Sequence, residues 1–266
     1  MKLFYRKYGH GPSLIIVHGL GGSSDNWMSV ARNIGNRFTV YLPDMRNHGL
    51  SPHTDIIDYD SLIADLLELA DDLYLDKFFL AGHSMGGKAA VHFALKYPER
   101  IEGLLIADIS PFLTVNRETR EFDQGTALLR IINETDITGA GSRNDVDNLL
   151  KEKIPSEKLR AFTMKNLKRT PDNKFTWKIN AAVLLKNLDK IMEGLPRTIG
   201  DNLQITGFPV MFLKGEFSDY LPVGDWPDIL KIFPAAELTI IQNAGHWIHT
   251  DNPEAVEKAF ISLLHQ

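Results

Sequence analysis

Apolar residues follow two different periods along the chain. In the first half, the short runs Leu14-Ile15-Ile16-Val17, Phe38-Thr39-Val40-Tyr41, Phe78-Phe79-Leu80-Ala81 and Leu104-Leu105-Ile106-Ala107 each lead into a cluster of Gly, Pro, His or Asp. Short, strongly apolar runs bounded by turn residues predict buried strands. Between them, Tyr59 to Leu73 carries Leu62, Leu66, Leu69 and Leu73 at three- and four-residue spacing, which predicts a helix with one buried stripe. Its Asp65, Glu68 and Asp72 are expected to face water. The alternation of strands with amphipathic segments predicts a mostly parallel sheet covered by helices on both faces. In such sheets ligands bind beyond the carboxyl ends of the strands.

From Phe112 to Gln204 the strand signal gives way to helical spacing, broken by turns such as Gly139-Ala140-Gly141 and Pro171-Asp172-Asn173. Strands resume at Val210-Met211-Phe212-Leu213 and Leu238-Thr239-Ile240-Ile241. A last helix is predicted from Asn252 as N-cap and Pro253 at the first helical position. The expected organisation is therefore a core of residues 1–111 and 205–266 with a helical cap, 112–204, inserted in it.

Composition narrows the partners. Of 266 residues 44% are hydrophobic and 24% charged, the values of an ordinary globular chain. Net charge is −5, and no Lys/Arg run is dense enough for a phosphate backbone, so nucleic acid is not an expected partner. The predicted cap holds 16 Lys/Arg against 13 Asp/Glu, so the negative balance belongs to the core. There is no cysteine, hence no thiol nucleophile, disulfide or thiolate metal site. No apolar run is long enough for a membrane span, and Leu14 to Val17 is too short for a secretory core, so a cytoplasmic protein is expected.

The chemistry concentrates in Gly82-His83-Ser84-Met85-Gly86, set between the Phe78 to Ala81 run and the helix-like Lys88 to Tyr97. Strand, Gly-x-Ser-x-Gly turn and helix together make a nucleophile elbow, with Ser84 the expected nucleophile. Serine at its free pKa needs an adjacent base. Of nine histidines, His246 in Asn243-Ala244-Gly245-His246 follows a late strand, where the base is expected, and His249 is its rival. Two backbone donors are needed for a tetrahedral oxyanion. Met85, after the nucleophile, and Leu20, in His18-Gly19-Leu20-Gly21-Gly22, are the candidates. The cluster Asp44, Arg46, His48 and His53 has no third ligand at metal spacing, so a structural loop is expected there and no metal.

At these residues the chain resembles the α/β-hydrolase superfamily, and within it small bacterial esterases related to mitochondrial abhydrolase-type esterases. The more specific pieces are Asp44 to His53, Ser84-Met85-Gly86-Gly87-Lys88, Ala107-Asp108-Ile109-Ser110-Pro111, Trp177-Lys178-Ile179-Asn180 and Asn243 to His246. The resemblance implies an α/β fold with a mostly parallel eight-stranded sheet, and a carboxylesterase or acyl-CoA thioesterase activity without a cofactor, acting on a small acyl ester or thioester. In most of the superfamily the triad acid follows the strand after the cap, but Gly215-Glu216-Phe217-Ser218 puts serine at that place, with Asp219 one residue later. The resembling esterases use an acid at the earlier strand end, which here is Asp108. Asp108 is the expected acid and Asp219 the alternative. Apolar cap residues Phe112, Leu113, Phe162, Trp177 and Leu184 are expected to wall an acyl pocket. A C–C bond hydrolase or perhydrolase using the same triad, and a non-catalytic receptor, are the competing readings.

Overall fold

Alternate residues of each central strand enter opposite cores, and this places helices on both sides of one sheet. The computed structural model describes residues 1–112 and 120–265, without the side chains of 120–124. Its main sheet has seven strands. They are β1 (Tyr5–Gly9), β2 (Ser13–Val17), β3 (Thr39–Pro43), β4 (Phe78–His83), β5 (Ile101–Ala107) and, after a separate hairpin of β6 (Leu167–Arg169) and β7 (Phe175–Trp177), β8 (Val210–Gly215) and β9 (Glu237–Ile241). Their spatial order is β1-β3-β2-β4-β5-β8-β9; β1 is antiparallel to β3 and the other neighbours are parallel. Ile15, Val17, Leu80, Leu104 and Ile106 face one core, and Leu14, Ile16, Ala81, Leu105 and Ala107 the other.

The first face is covered by α2 (Tyr59–Asp72) and α3 (Met85–Lys96), the second by α1 (Met28–Asn33) and the terminal α11 (Pro253–Leu263). Asp58 caps α2 by accepting from Ser61 N–H, and Asn252 caps α11 by accepting from Ala255 N–H. Such side chains satisfy helix N–H groups that have no intrahelical acceptor.

The structure corrects two expectations. The sheet has seven strands among the described residues, not eight. Phe4 N–H donates to Ser51 Oγ at 2.8 Å, its carbonyl accepts from Asp44 N–H, and the Met1 amino group meets Asp65 and Glu68 on α2. Those contacts hold the first residues over β3 and α2, so they do not extend the sheet beyond β1. Asp65 does not face water: it is fully buried and takes Arg46 Nε at 2.6 Å and Nη2 at 2.8 Å. A buried carboxylate has to be paired, and the fork of Arg46 bonds to both of its oxygens, beside the Met1 amino group on Oδ1.

Between β5 and β8 the chain forms α4 (Arg120–Glu134), α5 (Arg143–Lys151), α6 (Glu157–Met164), the β6–β7 hairpin, α7 (Ala181–Lys186) and α8 (Leu188–Met192). The sequence pattern does not announce the hairpin: Pro171-Asp172-Asn173 turns it, with Asn173 at φ 67°, and each strand has only three residues, too few to show a period. This stretch has its own apolar cluster, including Leu128, Val146, Leu150 and Phe175. The chain then continues through α9 (Trp226–Ile232) and α10 (Ile248–Asp251). Among the described residues no helix is long and apolar enough to cross a membrane.

Parallel register aligns the carboxyl ends of the central strands. Val17 pairs with Gly82, His83 with Ala107, Ala107 with Leu213, and Gly215 with Ile241. The segments beginning at His18, Ser84, Asp108, Glu216 and Gln242 consequently leave the sheet along one edge.

Candidate active site

Ser84 sits at φ 55°, ψ −122°, between β4 and the first residue of α3. This is sterically disfavoured for a residue with a Cβ and persists only where the surroundings enforce it. Ser84 N–H donates to Ala107 C=O at 3.1 Å. Close packing enforces the rest, because a Cβ on Gly82 would lie 2.1 Å from Gly86 O, and one on Gly86 would lie 2.4 Å from Val17 O. The glycines flanking the serine are thus required by backbone approach, and the sharp turn lifts Ser84 into a cavity.

His246 lies in the loop after β9 and lines the same cavity. Its Nδ1 is 2.8 Å from Asp108 Oδ2. Asp108, at φ 51° after β5, is fully buried and its carboxylate is held from three sides: Gly215 N–H reaches Oδ1 at 2.8 Å, while Ser218 Oγ donates to Oδ2 beside His246. An acceptor so surrounded orients its donors. Asp219 lines the cavity from an exposed position and has no hydrogen bond to His246. Tyr220 stacks on the His246 ring, with centroids 3.6 Å apart and planes at 14°. Lys214 holds the turn below by donating to the carbonyls of Gly215 and Ser218.

The loop after β2 is fixed by two neutral histidines. His18 Nδ1 contacts Gly19 C=O at 2.8 Å while Nε2 accepts from Met45 N–H; His48 Nδ1 contacts Arg46 C=O at 2.9 Å while Nε2 accepts from Gly21 N–H. These partners require the proton on Nδ1 in both rings. Burial pushes His18 down to about 4, and burial followed by the neighbouring His18 pushes His48 down to about 3. Gly22 N–H donates to Gly19 C=O, and Gly21 C=O accepts from Asn166 on the β5–β8 insertion.

Asp44 accepts from Ser24 N–H at 2.6 Å and Leu50 N–H at 2.7 Å, so it binds loop backbone as expected. Arg46 gives two bonds to backbone carbonyls, of Ile56 and Ser61, besides its pair with Asp65. Among the described residues no group of three or more His, Cys, Asp or Glu could hold a metal ion. His249 also lines the cavity, but it stacks on Trp27 at 4.4 Å, its ring lies 5.1 Å from that of His83, and its Nδ1 has no hydrogen-bond partner among the described residues.

The cavity measures about 480 Å³ and its wall includes Leu20, Ser84, Met85, Phe162 and His246. Phe162 stands on α6 and stacks on Trp247 at 5.0 Å. The other pocket expectations are corrected. Phe112 is fully buried in the core beneath the Arg197 guanidinium, Leu184 is fully buried on α7, and Trp177 packs within the insertion; none of the three is among the lining residues. Phe112 and Leu184 are buried in the core on the α2–α3 face of the sheet, and Trp177, on β7, packs against that core and against the insertion's own apolar cluster. Leu113 lies outside the described residues. The apolar wall is supplied instead by Leu128, Leu129 and Ile132 on α4 and Leu159 on α6.

Sequence reasoning missed Ser218 and Tyr220 as members of the site. For Ser218 the signal was present: it stands where the superfamily's acid is expected, and a hydroxyl there can serve a carboxylate from the neighbouring strand.

Comparison with known proteins agrees with this geometry. A family model described as alpha/beta hydrolase fold matches residues 12–253. The sn-1-specific diacylglycerol lipase ABHD11 of Danio rerio is 34% identical over 96% of this chain and 79% of its own length. Esterase YbfF of Escherichia coli is 32% identical over 92% of this chain and 90% of its own. Among solved structures, a marine microorganism esterase superposes with a TM-score of 0.92 at 38% identity, covering 98% of this chain and 99% of that one. With a match across nearly the whole core and relatives above 30% identity along most of both chains, this chain belongs to the α/β-hydrolase family.

Proposed function

We propose that the protein is a serine esterase in which Ser84, His246 and Asp108 form the catalytic triad. The observation that carries this reading is the convergence of three strand ends: a strained serine at the cavity floor, a histidine on the same wall, and a buried carboxylate 2.8 Å from that histidine's Nδ1. The relatives named as esterases and lipases support the ester as the bond cleaved. Asp108 keeps the proton on Nδ1, leaving Nε2 to take the proton of Ser84 as its Oγ attacks the acyl carbon. The same proton then goes to the departing alcohol. Water, activated by His246, releases the acid from the acyl-enzyme and restores Ser84.

The oxyanion donors in this reading are the N–H groups of Leu20 and Met85. Met85 opens α3, so its N–H has no intrahelical acceptor and sits at the positive end of the helix. The two amides that follow Leu20 are committed elsewhere, since Gly21 and Gly22 donate to His48 and Gly19. Residues 112–204 act as the cap: α4 and α6 roof the cavity and supply its apolar wall. Thioesters are a further substrate class for the same chemistry, and the excess of basic residues in the cap favours an anionic leaving portion such as coenzyme A through electrostatic attraction.

The test is a burst and turnover assay with p-nitrophenyl butyrate. Ser84→Ala should lose both, with kcat lower by about 10⁶-fold, the size of the loss when a triad serine is removed. Folded Ser84→Ala that still releases p-nitrophenol at the wild-type rate would overturn the assignment, and a wild-type protein that turns over no ester would point to a receptor.

A further inference from the structure

One helical turn beyond Ser84, α3 buries a cation. Lys88 is 5% exposed and is one of the residues lining the cavity. Its ammonium donates to Met192 C=O at 3.1 Å and Glu193 C=O at 3.0 Å, where α8 ends. An ammonium has three N–H donors. Two are spent on carbonyls, and among the described residues no carboxylate bonds to the third. The remaining polar groups at this end are committed or neutral. Tyr59 donates its hydroxyl to Ile191 C=O at 2.7 Å, and His92 stacks on Tyr59 at 4.5 Å and is pushed down to about 4 by burial and then by Lys88 itself. Glu193, just after α8, is exposed and acts on Lys88 without bonding to its ammonium, and Asp189 on α8 is exposed and also lines the cavity.

Holding the end of α8 does not account for a charge in this place. A neutral donor could serve two carbonyls, whereas an ammonium taken from water without a counter-ion is costly to keep. Burial accordingly pushes Lys88 down to about 8, opposed by Glu193, a value at which most of the group is still cationic at neutral pH. A buried cation one turn from Ser84, at the wall of this cavity, is placed to meet an anion carried by the substrate.

We propose that the Lys88 end of the cavity binds a carboxylate on the acyl group, so that this enzyme accepts half-esters and half-thioesters of short dicarboxylic acids. The inference rests on the serine esterase reading and adds a substrate class to it. With the ester carbonyl at Ser84, the anion has to lie about one helical rise of four residues away, roughly 6 Å, which suits a chain of few carbons. The reaction is the same hydrolysis: the Ser84 Oγ–acyl bond forms as the bond to the alcohol breaks, and water then releases the dicarboxylate. The distal carboxylate takes no part in bond making; it offsets the cost of the buried ammonium and fixes the acyl chain.

The experiment compares kcat/KM for ethyl hydrogen adipate with that for ethyl hexanoate, which has the same number of acyl carbons and no charge, and likewise ethyl hydrogen glutarate with ethyl pentanoate. Wild type at pH 7 should cleave the half-ester at least as well as the neutral ester. In Lys88→Met the ratio should fall about tenfold or more, the scale of a lost hydrogen bond between charged groups. In wild type the ratio should also fall between pH 7 and pH 10, as Lys88 loses its proton while the substrate carboxylate stays ionised. Rejection of both half-esters by an enzyme that cleaves the neutral esters would overturn the proposal. So would an equal effect of Lys88→Met on both substrates, which is what a bracket for α8 alone predicts. If Lys88→Met does not fold, the wild-type pH series decides, and a constant ratio refutes the role. Absence of all ester hydrolysis would instead refute the esterase reading itself.

Discussion

Replacing Asp108 by Asn removes a charge and leaves the shape, so the surrounding donors dictate the consequence. The carboxylate uses Oδ1 for Gly215 N–H and Oδ2 for both Ser218 Oγ and His246 Nδ1. An amide has a single oxygen, so only one of these sides can keep its acceptor. If the oxygen faces Gly215, the amide NH₂ meets His246, whose proton must move to Nε2, the atom that has to accept from Ser84. If the amide turns over, His246 keeps its tautomer, but the NH₂ then faces Gly215 N–H in a fully buried place. An unsatisfied buried donor costs about 1–3 kcal/mol, so the competent orientation is disfavoured roughly 5- to 150-fold. The charge that stabilised the imidazolium is lost as well, worth about 1.5–3 kcal/mol or roughly another 10- to 150-fold. The product is on the order of 10²–10⁴ in kcat, and the upper end matches the loss of about 10⁴-fold for the same exchange in a trypsin-type triad. The assay is kcat for p-nitrophenyl butyrate in Asp108→Asn and Asp219→Asn, each checked by thermal melting to be folded. Asp219→Asn should keep most activity. An Asp108→Asn enzyme within a factor of ten of wild type, or a collapse in Asp219→Asn, would refute the assignment of the acid.

Stability should fall in mild acid. His18 and His48 are neutral in the fold with values lowered to about 4 and 3, so between these and the unfolded value near 6.5 the unfolded chain binds more protons. Their contribution is intact above pH 6.5 and is lost as pH drops toward 4, at about 1.4 kcal/mol per pH unit for each; a melting temperature constant from pH 7 to 4.5 would contradict this. Gly86→Ala would set a Cβ 2.4 Å from Val17 O and 2.6 Å from His18 O, so it should cost about 1–3 kcal/mol and shift the elbow; an unchanged denaturation midpoint would show the backbone contact to be soft. Phe162→Ala should open the cavity beneath Trp247 and raise kcat/KM for octanoate relative to acetate esters, and an unaltered chain-length profile would remove Phe162 from the acyl wall.

Much of the molecule was legible because its constraints are local. The parallel strands announce themselves as apolar runs since both faces are buried, and the observed elements at Leu14, Phe78, Leu104 and Val210 keep those runs. The elbow was legible because the strained turn demands glycine at Gly82 and Gly86, and the caps because Asn252 and Pro253 act within a single helical turn. What the sequence by itself determined was therefore the fold class, the place of Ser84 beside a strand end, and the late histidine on the same edge of the sheet.

Only the tertiary structure decided questions that depend on residues far apart in the chain. Sequence left Asp108 and Asp219 in competition, and only the fold brings Asp108 within 2.8 Å of His246 Nδ1, a contact spanning 138 positions. Asp65 read as a solvent residue until Arg46 met it across the core. Phe112, Trp177 and Leu184 looked like pocket residues because apolar side chains of an insertion are alike in sequence, whether they face a cavity or the core. Which of the two they face is set by the crossing of helices over the sheet, and periodicity carries no information about that angle. Lys88 shows the same limit: its position one turn after Ser84 is written in the chain, but its burial against the end of α8 at the cavity wall exists only once the insertion has packed onto the core.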